Sequence, residues 1–209
     1  MQNCDPLIPG AGTQHKVDIA ESAINAEKIY SVITPQSWTQ KQSVTAAKYL
    51  GTDYDPYTFS GGRKAVSASG AFTSPTDYVT KYNWRYGSVY YPAAPIELNQ
   101  DSTVALETTL ATFDLKGNDL PFLAHQETDA TGSAPRFEAR DFILAHNFNK
   151  TPEKMLSGLN LANSGAPVSL SLHFNSNPNA VTPKAIQTFI ESSNTLYIKP
   201  GGASSLIAN

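Results

Sequence analysis

Short runs in which apolar and polar residues alternate are the main pattern of this chain, and polar stretches separate them. The clearest run is 168–174, where every second residue is Val, Leu or Phe and the residues between are Ser or His. Successive strand side chains point to opposite faces, so this period of two predicts a strand. One face of that strand belongs to a core, and the polar face belongs to water or to an interface.

Other segments are rich in β-branched and aromatic residues and end at Pro, Gly, Asn or Ser, which is typical of short strands. In 140–149, the apolar residues Phe142, Leu144 and Phe148 share one face of the predicted strand. With 168–174, these segments predict about eight short strands. The further predicted strands lie in 29–34, 64–71, 82–98, 140–149, 186–190 and 195–198.

The segment 82–98 is the densest apolar part of the chain, and it contains Pro92 and Pro95. Proline has no N–H group to donate to a strand ladder. The segment therefore predicts an edge strand, a bulge, or two strands joined by a bend. Alternation would place Trp84 on one face and Arg85 on the other.

One helix is expected after this segment, with Asp101 or Ser102 as its N-terminal cap. The triplet Lys116-Gly117-Asn118 would end it, and 114–135 would follow as a long polar loop. A second long loop is expected at 36–59. The predicted helix spans 103–113, with an apolar stripe of Val104, Leu106, Leu110 and Phe113.

The two ends of the chain predict little regular structure. Prolines and glycines interrupt 1–28, which we interpret as an arm or a linker, whether it connects to a preceding domain, docks on a neighbour or is a frayed terminus. The central domain is expected at 29–200. The residues 201–209 are interpreted as a C-terminal tail that follows a glycine turn.

The order of elements predicts the fold class. We find no 20–50-residue repeat, no heptad pattern and no alternation of strands with helices. An all-β jelly-roll sandwich of about eight antiparallel strands, with one short inserted helix, fits best.

Composition excludes several classes of function. The 209 residues carry a formal net charge of −3, and only 16% of them are charged, so a strongly electrostatic partner such as duplex DNA is not expected. The single cysteine, Cys4, excludes an internal disulfide framework. No apolar run is long enough to predict a membrane span, and 1–8 does not resemble a signal peptide.

The candidate chemistry is sparse. The four histidines are His15, His125, His146 and His173, and no two have the spacing of metal ligands. His146 and His173 can approach each other across strands, but a third ligand is not evident. The stretch 61–64, Gly-Gly-Arg-Lys, resembles a phosphate loop but opens no helix, so a turn into a strand is the better interpretation. We therefore predict no catalytic, cofactor-binding or metal-binding residue, and no enzyme.

Three stretches, in order, resemble the C-terminal half of double jelly-roll major capsid proteins of DNA viruses, in particular those of polinton-like viruses, virophages and adintovirus-type elements. In that family, an aromatic strand with a Tyr-Pro…Pro-Ile ending precedes a short helix. A Ser-Gly-hydrophobic-Asn passage lies between two later strands, and a closing strand pair ends in a glycine turn. The matching stretches here are 82–96 followed by the helix, 142–174, and 188–202.

The resemblance implies a viral structural protein that forms part of a double jelly-roll capsid subunit. Family members carry two jelly rolls, of which this chain would hold the second. The expected partners are copies of itself in trimeric capsomers of an icosahedral shell, together with minor capsid proteins. No direct nucleic-acid binding and no membrane insertion are expected. The expected location is the virion, assembled inside the host cell.

An alternative from another class is a carbohydrate-binding β-sandwich of lectin type. The aromatic residues Trp84, Tyr86, Tyr90 and Tyr91 would then form a platform on which sugar rings stack. This interpretation requires Trp84, Tyr90 or Tyr91 to be exposed in a line. Packing in a core or between subunits is the more common role of such residues.

Overall fold

A computed structural model gives the fold. It describes residues 2–4, 8, 10–19, 23–35, 59–66, 72–98, 102–115, 126–129, 132–149, 158–162, 167–180, 183–193, 195–198 and 204–207. Most of the predicted loop 36–59 lies outside these residues. The strands are β1 Gln2–Cys4, β2 Gln14–Ile19, β3 Ala26–Pro35, β4 Ala65–Val66, β5 Phe72–Thr73, β6 Val79–Tyr86, β7 Val89–Glu97, β8 Gln126–Asp129, β9 Gly132–Pro135, β10 Ile143–Asn147, β11 Val168–Phe174, β12 Lys184–Ser192, β13 Thr195–Ile198 and β14 Ser204–Ile207. The helices are α1 Thr103–Thr112 and α2 Arg136–Ala139.

Eight of these strands form four nested antiparallel pairs. The first strand of the set pairs with the eighth, the second with the seventh, the third with the sixth and the fourth with the fifth, as β1–β12, β2–β11, β3–β10 and β6–β7. Together the four pairs form one long ribbon of two antiparallel stretches of the chain. When the ribbon winds, the first and third pairs lie in one sheet, and the second and fourth pairs lie in the other. Sheet A has the order β1-β12-β3-β10, and sheet B has the order β2-β11-β6-β7. This is the jelly-roll topology, so the predicted fold class is confirmed.

The core lies between the two sheets. Sheet B contributes its largest side chains from β6, where Tyr82 and Trp84 are both fully buried. Sheet A faces them with aliphatic residues such as Ile29 and Ile186. Phe142, Leu144 and Phe148 point into the same core, as the alternation predicted. Each such side chain contributes about 1.5–3 kcal/mol when it is removed from water.

The interpretation of 1–28 as an arm outside the sheets is wrong. β1 pairs with β12 in sheet A, and β2 pairs with β11 along its whole length in sheet B. His15, Val17 and Ile19 of β2 are buried while the residues between them are exposed. That alternation was present in the sequence, but its first member is a histidine and not an aliphatic residue.

The segment 82–98 contains two strands joined by a turn, which was one of the three predicted arrangements. The turn is Gly87-Ser88, and Gly87 has φ +58°, a conformation that suits glycine at the first position of a hairpin turn. β7 is the edge of sheet B, and both prolines lie in it. One residue of β6, Asn83, lies opposite four residues of β7, 92–95, which therefore form a bulge.

Helix α1 follows β7 as predicted, but the buried face differs from the predicted stripe. Val104 is 47% exposed, while Ala105 and Thr109 are fully buried. Because α1 packs on β10, the small residues face the sheet and allow a close approach. Thr109 satisfies its hydroxyl by donating to the carbonyl oxygens of Ala105 and Ile143.

The ends of α1 also differ from the prediction. Ser102 occupies the N-cap position, but its side chain does not cap the helix; Glu138 Oε1 accepts a hydrogen bond from the Ser102 N–H at 3.1 Å instead. The helix ends at Thr112, before the predicted stop, and Asp114 just beyond it has a left-handed φ of 55°. Leu115 N–H then donates to the Leu110 carbonyl at 3.0 Å, which closes the last turn.

Two predicted irregular segments contain paired strands. β8 and β9 form a hairpin inside the expected loop 114–135, and α2 follows it directly. In the expected tail 201–209, β14 pairs with β13. The two segments were expected to be irregular for the same reason. Their strands carry no long apolar run, and each of the two hairpins pairs strands that are close in the chain. Of the predicted strand 64–71, only β4 lies within the described residues.

Candidate interaction surfaces

Helix α1 covers part of the outer face of sheet A. Ala145 points outward from β10 and is nevertheless fully buried, because the helix lies on it. Val32, on the neighbouring strand β3, is also outward-facing and 6% exposed. This outer face is therefore a second, smaller packing layer.

An aromatic row continues this layer past the end of α1. Tyr30 lies between Phe113 and Phe189, with ring centroids 5.0 Å and 5.2 Å away. Burial, and then the nearby Glu191 carboxylate, raise the pKa of the Tyr30 phenol above its ordinary value. The row supports the helix on the sheet and keeps the phenol neutral.

The outer face of sheet B has no covering element among the described residues. Strand register places its outward side chains in three rows that run across the sheet. Row one is Asp18, Ser169, Arg85 and Tyr90; row two is Lys16, Ser171 and Asn83; row three is Gln14, His173, Lys81 and Glu97.

The centre of this face is polar but carries no charge. Ser169 and Asn83 are 3% and 7% exposed, and Ser171 between them is half-buried. Charged residues lie around this centre. A flat, uncharged polar centre loses less free energy on desolvation than a charged one. Because Ser169 and Asn83 are already buried, the groups of this face that can contact another protein surface are the exposed residues toward its edges.

The edge strand β7 exposes the most apolar surface of sheet B. Val89 and Tyr90 are 50% and 42% exposed, and they are two of the three large apolar side chains that are exposed in the described part of the chain. Ala93, Ala94 and Pro95 of the bulge are also exposed. We call the stretch 89–95 the apolar edge. Contiguous exposed apolar surface of this kind marks interaction sites.

Two charged residues lie at the ends of the apolar edge. The guanidinium of Arg85 lies 5.5 Å from the centroid of the Tyr90 ring, and its Nε donates to the Gly87 carbonyl at 2.9 Å. Its positive charge is therefore held at the β7 edge. Glu97 is exposed at the other end. Neither residue forms an ion pair with another described residue.

The opposite edge of sheet B is β2, which carries alternating exposed polar residues. Lys16 and Asp18 form an ion pair at 2.8 Å, and each side chain remains more than half exposed. Such exposed pairs contribute about 0–1 kcal/mol, so both groups remain available to another partner.

The stretch 158–160 belongs to the Ser-Gly-hydrophobic-Asn pattern that resembles capsid proteins, and it has a defined structural role. Leu159 exchanges two backbone hydrogen bonds with Ala26, at 2.7 Å and 2.8 Å, so it extends sheet A beside β3. A Cβ on Gly158 would lie 2.4 Å from the Ala26 carbonyl oxygen, which explains the glycine. Tyr86 donates from its hydroxyl to the Asn160 carbonyl at 2.5 Å and links this passage to sheet B.

The polar side chains that hold this passage carry no signal in the sequence. Asn25 Oδ1 accepts a hydrogen bond from Gly158 N–H at 2.9 Å. Glu27 Oε1 accepts from the Asn25 amide at 3.2 Å and from the Ser193 hydroxyl. Gly158 and Ser193 lie 133 and 166 residues from their partners Asn25 and Glu27, and no local pattern indicates these contacts.

Of the four histidines, His125 lies outside the described residues, and the other three do not converge on a common site. His146 points from β10 toward the interior, against Tyr91 and Phe148 at 5.9 Å and 5.4 Å. His173 lies on the outer face of sheet B. Burial lowers the pKa of His146, while burial and the Lys81 charge lower the pKa of His173. No group of three potential metal ligands occurs among the described residues.

The Gly-Gly-Arg-Lys stretch leads into strand β4, as predicted. Arg63 lies 5.6 Å from the centroid of the Tyr78 ring, and Lys64 Nζ donates to the Ser74 hydroxyl at 3.2 Å. Both cations thus contact neighbouring segments of this chain.

The aromatic platform required by the lectin alternative does not form. Trp84 is fully buried in the core, and Tyr91 packs against the core from β7. Tyr90 is exposed, but it lies on the opposite face of the strand from Tyr91. A line of exposed rings is therefore not present on this hairpin.

The sequence matches no model of a known protein family, and no curated protein shows significant similarity to it. Within the part of the chain that the structure describes, no helix has the length and hydropathy needed to cross a bilayer.

Proposed function

We propose that this chain is a structural protein of a viral shell, the jelly-roll part of a double jelly-roll capsid subunit. The observation that carries the proposal is the strand order of the two sheets, together with the position of α1 between the fifth and sixth strands of the roll. The three stretches that resemble capsid proteins include these elements in the same order. They coincide with β6–β7 and α1, with β10–β11, and with β12–β13.

The surfaces described above support a role in assembly. A shell subunit needs a rigid body and contacts that are individually weak, because repetition by symmetry makes weak contacts collectively strong. The exposed edges of sheet B, and the apolar edge in particular, have the required character. Copies of the chain in trimeric capsomers, and minor capsid proteins, are the proposed partners, and the virion is the proposed location.

The test is to produce the complete gene product and examine it by sedimentation and electron microscopy over a wide range of concentrations. We expect trimers or closed shells, with assembly that depends on concentration. Leu172→Asp, which places a charge in the core, is the control for assembly that depends on the folded domain. A folded product that stays monomeric at high concentration and forms no shell would overturn the proposal.

A further inference from the structure

The two edges of sheet B carry complementary charges in the same row or in adjacent rows. Arg85 of β6 belongs to row one and reaches the β7 edge over the Tyr90 ring, and Glu97 of β7 belongs to row three. On the β2 edge, Asp18 belongs to row one, and Lys16 lies one row away from Gln14 in row three. If two sheets stand side by side with their rows aligned, Arg85 of one copy faces Asp18 of the next in row one, and Glu97 in row three lies diagonally from Lys16, one row away and within reach of a lysine side chain. The Lys16–Asp18 ion pair within each chain is exposed, so both groups can exchange partners.

We propose that the β7 edge of one copy docks against the β2 edge of the next copy. Arg85 then pairs with the neighbour's Asp18, and Glu97 with the neighbour's Lys16. The apolar edge fills the space between these two pairs. The inference rests on the proposed function, because it names the contact by which copies of the chain would assemble.

Side chains, and not a continued strand ladder, form this contact. Pro92 and Pro95 have no N–H group to donate, and the bulge moves the middle of β7 out of register. An uninterrupted ladder would allow unlimited addition of strands. The bulge restricts the docking to a partner whose surface fits it.

The contact joins two different edges of identical chains, so it is a head-to-tail contact. Contacts of this type form closed rings when the rotation between neighbours is suitable. Strand directions agree with this arrangement, since β7 of one copy would run antiparallel to β2 of the next. A ring of three copies satisfies every such edge.

A charge exchange tests the pairing of Arg85 with Asp18. We expect Arg85→Glu and Asp18→Lys each to weaken association about fivefold or more in sedimentation equilibrium. The double variant should recover to within about twofold of the original chain, because the pair is restored with opposite polarity. Thermal unfolding checks that each variant remains folded.

The matched control is the pair Lys28 and Asp114, which form an ion pair at 3.2 Å within one chain and away from sheet B. Lys28→Glu with Asp114→Lys should leave association unchanged. If the single reversals at Arg85 and Asp18 have no effect, or if both weaken association but the double variant does not recover, the docking is overturned.

Zero-length cross-linking between amines and carboxylates tests the second pair. Within one chain, Lys16 and Glu97 lie on opposite edges of sheet B, about 14 Å apart across three strand spacings, so they cannot be joined directly. Mixed isotope-labelled and unlabelled chains should yield a hybrid Lys16–Glu97 cross-link. Assembled chains without this cross-link would contradict the docking.

The outcomes separate the two proposals. A chain that remains monomeric overturns both the proposed function and this contact. A chain that forms trimers or shells, but shows neither the charge exchange effect nor the hybrid cross-link, retains the proposed function and overturns only the docking of β7 on β2.

Discussion

The outer faces of the two sheets of the sandwich differ in how far other elements cover them. On sheet A, α1 and an aromatic row cover outward positions, so that Ala145 is fully buried. On sheet B, outward positions such as Ser171 have no cover in the described part of the chain. The comparison shows that a strand position in a jelly roll is buried by what lies on its sheet, and not only by which way it points.

The inner faces differ as well. Sheet B presents large rings to the core, and burial raises the pKa of the Tyr82 phenol well above its usual value. Sheet A places a polar pair there, with Ser31 and Thr188 hydroxyls 2.6 Å apart and both fully buried. Sheet A is thus tied by specific contacts on both faces, while the outer face of sheet B keeps half-buried residues such as Ser171 and His173.

The largest expected effect tests the covered and bare faces directly. Ala145→Asp buries a charge beneath α1 and should reduce the free energy of unfolding by about 4 kcal/mol or more. Ser171→Asp, at an outward position of sheet B next to Lys16, should change it by about 0.5 kcal/mol or less. Urea unfolding of both variants measures the difference. Equal losses would mean that the outer face of sheet B is covered too.

The buried polar pair of sheet A gives the next effect. Thr188→Val leaves the Ser31 hydroxyl without its partner and should cost about 1–3 kcal/mol of unfolding free energy. Adding Ser31→Ala should recover part of that loss, because no buried hydroxyl then remains unpaired. A double-mutant cycle from urea unfolding measures the coupling. Strictly additive losses would contradict the contact.

The attachment of α1 to sheet A predicts a smaller effect. Thr109→Val removes the hydroxyl that donates to Ala105 and to Ile143 of β10, and should cost about 1 kcal/mol. Thr108→Val removes the same kind of bond within the helix, to Val104, at a more exposed position, so it serves as the control. We expect the control to lose less in thermal unfolding. The reverse order would show that the Ile143 bond does not hold the helix.

The smallest effect concerns pH. The pKa of His146 is lowered by burial, so the unfolded chain binds a proton more readily than the folded one as the pH falls through the unfolded value. Stability from this group is present above that value and is lost toward lower pH. In His146→Phe, the free energy of unfolding should therefore fall less between about pH 7 and pH 5 than in the original chain. His173→Phe, on the outer face of sheet B, should reduce this fall by a smaller amount. A steeper decrease in His146→Phe would contradict this.

Local alternation was enough to predict most of the roll. The run 168–174 is β11, and the prolines of 82–98 correctly indicated an interrupted edge segment. The apolar stripe of the helix was wrong because Val104 is exposed while Thr109 is buried. A helix that lies on a sheet can bury small residues with satisfied hydroxyl groups, and hydropathy does not identify such a face.

The candidate surfaces were much less accessible to sequence reasoning. The exposed Val89 and Tyr90 belong to the same run as the buried Trp84, and the residues of 82–98 alone do not separate the two groups. The rows that join Asp18, Ser169 and Arg85 depend on the pairing of three strands that are distant in the chain. Loop closure between distant strands leaves no local pattern from which register can be derived.

The sequence by itself determined where six of the eight strands of the roll lie and which side chains of each strand share a face, because alternation is a property of neighbouring residues on one backbone. The tertiary structure alone decided that β1 belongs to sheet A and β2 to sheet B, that α1 covers part of sheet A, and that opposite charges stand at the two edges of sheet B. These features depend on contacts between residues far apart in the chain, and such contacts exist only after the ribbon of paired strands has wound into two layers.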